Sequence, residues 1–412
     1  MTALRQLSEQ LLSGAVEIDQ AQPMAPRFLA EPAAAGCYFV SSFANITAFD
    51  TDEGLVLVDT GSFILAEPTR ARLRSVTKRP VHTAVWTHGH VDHCFGVDLY
   101  ERDSGRHIRV IAHEAVPRRF ERYQLTREWN TAINQRQFQT NAQFPRDFRT
   151  PDETFVKTLT VVVGGRRFEL NHALGETDDH TWVWVPDAGV VCTGDLFIWA
   201  SPNCGNPQKV QRYPREWAQA LRAMDALGAE VLCPGHGVPI WGRDAVHRAL
   251  DDTASFLESL VEQVLALMNR GARLDEVLGS VSLKPELLAK PYLAPIYDEP
   301  EFIVRNIYRL YGGWWDGNPA HLKPARDEAV AVELATLAGG AGVLAVRARE
   351  LLSDGNLALA CELVELAAQA APDETTIQSI RAEVYSERAK AERSLMARGV
   401  YSAAADVSRR KS

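Results

Sequence analysis

The stretch Thr87-His88-Gly89-His90-Val91-Asp92-His93 constrains this chain more than any other feature. It follows a short apolar run, residues 81–87 (VHTAVWT), that reads as a β-strand. Two histidines at i and i+2, then Asp92 and His93 at i+4 and i+5, put four ligand-type side chains on one turn. Imidazole and carboxylate are the donors of a Zn²⁺ site, and alternate positions after a strand can point into the same cavity.

The surrounding pattern supplies more strands. Residues 37–50 (CYFVSSFANITAFD) and 54–59 are β-rich, with a hairpin turn over Asp50–Gly54. Residues 107–112, 159–163, 167–172, 181–185, 189–193 and 229–233 continue the series. Helical patterns over 65–75 and 214–227 interrupt it, which predicts a layered α/β core. Trp182 and Trp184 alternate along one strand and are read as core. Residues 114–158, rich in Arg, Gln and aromatics, are read as a lid or pocket wall, or as a solvated helical insertion. Residues 1–36 read as an amphipathic helix and a Pro/Ala-rich lead-in, and 37–250 as the α/β domain. Residues 251–412 read as a helical domain in which 355–371 and 373–396 form paired helices.

Composition excludes several classes. Lys and Arg number 44 against 53 Asp and Glu, a net charge of −9, which argues against nucleic-acid or anionic-membrane binding. No run of about 18 apolar residues offers a membrane span. Acids and glutamines stand where a signal peptide needs an apolar core, so a cytoplasmic location is expected. The six cysteines are dispersed without a CxxC pair and are read as mostly buried free thiols. Cys94, directly after His93, is expected to pack beneath the histidine cluster. His113, His172 and His247 stand alone and are read as structural.

At these residues the chain resembles the metallo-β-lactamase superfamily, whose HxHxDH motif is matched by His88, His90, Asp92 and His93. Gly175-Glu176 falls where that family carries a third ligand, Thr193-Gly194-Asp195 where it carries a bridging carboxylate, and Pro234-Gly235-His236-Gly237 where it carries its last histidine. Leu57-Val58-Asp59-Thr60-Gly61 matches the strand end whose Asp orients the ligands from behind. The resemblance implies an αββα sandwich holding two Zn²⁺ per subunit. His88, His90 and Glu176 would serve one ion, Asp92, His93 and His236 the other, and Asp195 both. Most hydrolytic members have His at position 176. The alkyl sulfatase branch has Glu, with the bridging acid 19 residues on, as here (195 − 176 = 19). His180 is the alternative third ligand.

The helical part agrees with that branch. Ile307 to Pro319 (IYRLYGGWWDGNP), the segment Asp354–Ala360 and the helices to Tyr401 are similar to the alkyl sulfatase dimerisation domain, which implies a homodimer. Tyr311, Trp314 and Trp315 suit an interface, with burial inside the monomer as the competing reading. Three departures stand out. The bridging acid is Asp195 where the sulfatases have Glu. No residues follow Ser412 for their sterol-carrier-like domain, which leads us to expect a smaller or more polar substrate, or a pocket completed by the partner subunit. Their arginine-containing sulfate grip is matched only loosely, by Asn203–Arg212. Lys209 and Arg212 on that loop suit a sulfate or carboxylate, or are solvated charges; Arg118, Arg119 and Arg136 are weaker candidates.

The implied activity is hydrolysis of an anionic small-molecule ester, a sulfate ester first and a lactone, thioester, phosphodiester or β-lactam as the alternative. The metals would bring the pKa of a bridging water to about 7, and Asp92 is the candidate to hold or accept its proton.

Overall fold

The computed structural model describes residues 1–412. Thirteen strands form two sheets. The first carries, in spatial order, β1 (Leu29–Ala34), β2 (Cys37–Ser41), β3 (Ile46–Thr51), β4 (Gly54–Val58), β5 (Val81–Val85), β6 (Arg109–His113) and β7 (Glu153–Phe155). The second runs β13 (Ile240–Trp241), β12 (Val231–His236), β11 (Val190–Ile198), β10 (His180–Val185), β9 (Arg166–Ala173) and β8 (Thr158–Val163). Both sheets begin antiparallel and turn parallel where helices provide the crossovers: β4, β5, β6 and β7 in the first, β11 and β12 in the second.

The sheets share one apolar core, with Phe39, Phe49, Val56 and Ile111 on one side and Phe168, Leu170, Val183 and Val191 on the other. The Phe49 and Phe168 rings meet edge-on at 5.5 Å. Helix Ala66–Val76 lies on the first sheet, its Thr69 hydroxyl donating to Ser42 Oγ at 2.9 Å. Helix Pro214–Asp225 covers the second, burying Trp217, whose indole donates to Leu196 O at 2.7 Å. This is the expected αββα sandwich. The Asp50–Gly54 turn closes a hairpin in which Thr51 pairs with Gly54.

Three strands escaped the sequence reading. The Pro/Ala-rich lead-in contains β1, an edge strand paired with β2; Pro32 is tolerated because an edge residue can do without a ladder N–H, and the register shifts after it. β7 and β13, of three and two residues, are too short for periodicity to register.

The strands end at Trp241, yet the compact units do not divide there or at residue 250. One comprises Met1–Arg127 with Pro145–Trp314, the other Glu128–Phe144 with Trp315–Ser412. Helix Arg243–Met268 buries Leu250, Phe256, Leu257 and Leu260 in the sandwich's own core, and helix Pro300–Gly312 adds Ile303 and Ile307. Burial thus carries the first unit 73 residues beyond the last strand.

The second unit stacks helices Asp327–Ala338, Ala341–Ser353, Leu357–Ala370, Thr375–Ala391 and Leu395–Arg409 around Ala348, Val364, Ile380 and Val384. The paired helices expected over 355–371 and 373–396 are the third and fourth of these. Residues 128–144, the middle 17 of the 45 residues of the expected lid, pack in this unit: Gln139 Nε2 donates to Gly399 O at 3.0 Å. Leu337 is 76% exposed on the first of these helices and Val346 55% on the second, and Trp314 is 71% exposed, against the reading of burial within the monomer. No single helix is long and apolar enough to cross a membrane. All six cysteines are free and five are buried.

Candidate metal centre

The strand ends of both sheets converge on one polar cluster. β5 delivers the loop carrying His88, His90, Asp92 and His93; the turn before β10 delivers Glu176; β11 delivers Asp195; β12 ends on His236. His88, His90, Glu176 and Asp195 form one group and Asp92, His93 and His236 another, the donor atoms of each lying within 4.8 Å of one another.

Within the first group His88 Nε2 and His90 Nδ1 each stand 3.5 Å from Glu176 Oε2. Within the second, Asp92 Oδ2 is 3.4 Å from His236 Nε2 and 3.6 Å from His93 Nε2. Asp195 reaches both groups, with Oδ1 3.3 Å from His93 Nε2 and Oδ2 3.2 Å from His236 Nε2 and 3.8 Å from His88 Nε2. Two ligands about 2.1 Å from a tetrahedral ion stand about 3.4 Å apart, which is the spacing seen here. His93 Nε2, Glu176 Oε2 and Asp195 Oδ1 are buried without a hydrogen-bond partner, a costly state for polar atoms unless a cation completes them. The residues therefore fit metal ions.

Outside this cluster three of the four rings are oriented from behind. Asp59, at the end of β4 with a left-handed φ of 61°, accepts from His93 Nδ1 at 2.8 Å, from Thr87 N at 2.7 Å and from Thr87 Oγ1 at 2.9 Å. The Thr87 hydroxyl in turn accepts from His88 Nδ1 at 3.0 Å, so one carboxylate fixes two imidazoles. His236 Nδ1 donates to the Phe43 carbonyl at 2.5 Å. Close approach demands glycine at two points: a Cβ on Gly235 would sit 2.1 Å from Asp195 Oδ1, and one on Gly194 2.5 Å from His180 Nε2.

Charge is balanced inside the cluster. Burial opposes a charged imidazole, yet Asp195, Asp59 and Asp92 hold His93 well above the ordinary histidine range. Burial and the neighbouring rings push His88 well below it. Glu176 is pushed up to about 7, chiefly by burial. His90 and Asp92, with side chains 19% and 21% exposed, are the members that solvent reaches most.

The remaining sequence candidates divide. His180 is buried and stacks on His88 at 4.6 Å, but its Nε2 faces the Thr193 carbonyl at 3.2 Å, and it belongs to neither donor group. Lys209 lies in the field of Arg212, Asp92 and Glu176, and burial lowers it to about 8. Arg212 differs from the expectation of a substrate contact: its Nη1 is 2.7 Å from both Glu176 Oε1 and Glu176 O, so it orients the acid. Arg119 is also buried, bonded to Asp178 and, at 2.6 Å, to Asp179, whose Oδ2 accepts from Gly89 N at 3.0 Å. Arg119 thus pins the loop between His88 and His90. Cys94 lies beneath that loop, donating to His90 O at 3.1 Å. His113 and His172 stack at 3.7 Å and bond to backbone carbonyls, while His247 pairs with Asp225 at the surface.

Sequence reasoning gave no role of its own to Asn203, the first residue of the loosely matched loop, which donates to Glu176 Oε1, and passed over Tyr297, half-buried in the Pro-rich stretch. Burial and the nearby Asp92, Glu176 and Asp195 raise the Tyr297 hydroxyl above the ordinary tyrosine range. Neither carried a motif; only their neighbours mark them.

Residues 41–236 match the metallo-β-lactamase superfamily, and residues 273–411 match the alkyl sulfatase dimerisation family. The chain therefore carries a metallo-β-lactamase domain followed by an alkyl sulfatase dimerisation domain. It is 26% identical over 363 residues to a linear primary-alkylsulfatase of Pseudomonas sp., covering 82% of this chain and 68% of that protein. It is 29% identical over 358 residues to an (R)-specific secondary-alkylsulfatase of Pseudomonas sp., covering 78% and 53%. The fold is that of the stereoselective inverting sec-alkylsulfatase Pisa1 from Pseudomonas sp., with a TM-score of 0.84 at 24% identity over 93% of this chain and 66% of that one. The chain thus spans about half to two thirds of the length of these relatives.

Proposed function

We propose that this protein is a metal-dependent sulfate-ester hydrolase, using two zinc ions per chain. The observation that carries the reading is the convergence of seven donor residues, with three orphaned buried donor atoms, in a chain that also carries the alkyl sulfatase dimerisation segment. His88, His90 and Glu176 would hold one ion, Asp92, His93 and His236 the other, with Asp195 between them. Bound divalent ions would lower the pKa of a water to about 7 and offset charge on the ester oxygens.

The chain's own groups then have distinct tasks. Lys209 would meet the sulfate with a charge-assisted hydrogen bond. Asp92, partly exposed, would hold or take the proton of the attacking water. Arg212 and Asn203 hold Glu176, and Asp59 holds His93 and, through Thr87, His88. Homodimer formation through residues 273–411 and a reducing, cytoplasmic setting complete the reading; exposed apolar residues on the helical unit and the free thiols support them.

The test is sulfate release from a panel of alkyl and aryl sulfates by zinc-reconstituted protein, with lactone and phosphodiester substrates alongside. Sulfate release that a chelator abolishes is the expected result. Inert sulfates with turnover of another ester would leave the metal site standing and overturn the sulfatase reading.

A further inference from the structure

We infer that Asn45 is a positioning residue for His236, and that the turn Ser42–Asn45 clamps this imidazole in the cluster. The inference rests on the metal reading above and extends it to a residue that carries no motif. The turn joins β2 to β3 in the first sheet, whereas Pro234–Gly237 ends β12 in the second. Four hydrogen bonds stitch them together. Asn45 N donates to Gly235 O at 2.8 Å, Asn45 Nδ2 donates to Pro234 O at 3.1 Å and to Gly237 O at 3.0 Å, and His236 Nδ1 donates to Phe43 O at 2.5 Å. Asn45 Oδ1 accepts from Ser42 N at 3.1 Å, which keeps the turn closed.

The chemistry requires an amide at this position. One side chain must donate twice to carbonyls and accept once from an N–H, and asparagine has the donors and the acceptor in one short plane. Asn45 is 3% exposed, so water does not replace lost bonds cheaply. The bond to Phe43 places the proton on His236 Nδ1 and leaves the Nε2 lone pair directed at Asp195 and Asp92. The Phe43 ring adds an edge contact to the imidazole at 4.8 Å. His93 is oriented by the carboxylate of Asp59, but only backbone carbonyls and this turn orient His236. The turn that Asn45 closes therefore does for His236, through the Phe43 carbonyl, what Asp59 does directly for His93, across the seam between the sheets.

The experiment is a zinc titration of chelator-stripped full-length protein, comparing wild type with Asn45→Ala, Asn45→Asp, His236→Ala and the double variant Asn45→Ala/His236→Ala. In Asn45→Ala one of the two zinc ions should bind about 10–100-fold more weakly, the range seen when an outer partner of a ligand is lost, while the other is unchanged. Adding Asn45→Ala to His236→Ala should alter the remaining site by less than about twofold, because the two act as one unit. Asn45→Asp keeps the shape and the Ser42 acceptor but loses both donors, so it should weaken the same zinc even if the alanine variant fails to fold. A merely structural role would lower the Tm and leave zinc affinity untouched; two zinc ions bound as tightly by the Asn45 variants as by wild type would overturn the inference alone. Wild type that binds no zinc would overturn the metal reading and this inference together.

Discussion

The two halves of the cluster share Asp195 but are held in different ways. On the side of His88, His90 and Glu176 the supports are charged and buried. Arg212, its side chain 3% exposed, is bonded to Glu176, whose side chain is fully buried, and Arg119 with Asp179 pins Gly89. On the side of Asp92, His93 and His236 the supports are Asp59, which also reaches His88 through Thr87, the Phe43 carbonyl and the Asn45 turn, while Asp92 stays partly exposed. A buried ion pair loses far more when one partner is removed than the intact pair contributes, because the survivor is left charged in a low-dielectric site. Damage on the first side should therefore appear as lost stability as well as lost metal. Damage on the second should appear mainly as weakened metal binding.

The largest effect sharpens the ligand assignment. Glu176→Ala should lose one of two zinc ions and lower turnover by more than the ~10–100-fold typical of an outer partner, read by metal analysis and sulfate release. His180→Ala should retain both ions; two ions kept by Glu176→Ala instead would transfer the role to His180. Next comes Arg212→Met, which leaves the buried Glu176 without its cationic partner. In metal-free protein it should cost about 3–5 kcal/mol in urea unfolding, and a loss below about 1 kcal/mol would break the distinction drawn between the two sides.

On the second side Asp59→Asn keeps the shape but removes the charge behind His93. Zinc affinity should fall by about 10–100-fold, with a smaller loss of unfolding free energy than Arg212→Met produces. The smallest effect lies outside the cluster. Leu337→Glu, on an exposed helix face, should change monomer stability by no more than about 0.5 kcal/mol and leave zinc binding unaltered. Sedimentation should nonetheless show a shift toward monomer, since a charge on an apolar face opposes self-association.

The legibility of this protein followed the range of the interactions involved. The His88–His93 turn was readable because its four donors are adjacent in sequence and a strand before them is apolar. Glu176, Asp195 and His236 were readable only through family resemblance, since each stands alone in its segment; the structure gathers them with that turn at the strand ends. Arg212 illustrates the opposite outcome. A cation on a Gly/Pro-rich loop reads as an anion grip, but whether it meets a ligand or a neighbouring acid depends on a carboxylate 36 residues away.

The sequence by itself determined the alternation that makes two sheets, the helical character of the last third, and the chemistry of the central turn, because periodicity and adjacency are local properties. Only the tertiary structure decided where the units divide, since helix Arg243–Met268 is helical by pattern but belongs to the sandwich by burial. It also decided which polar groups support the cluster. Asn45 and His236 lie 191 residues apart, and Arg119 and Asp179 lie 60 apart. Hydrogen bonds and ion pairs act over about 3 Å, and no local pattern encodes which distant atoms folding brings within that reach.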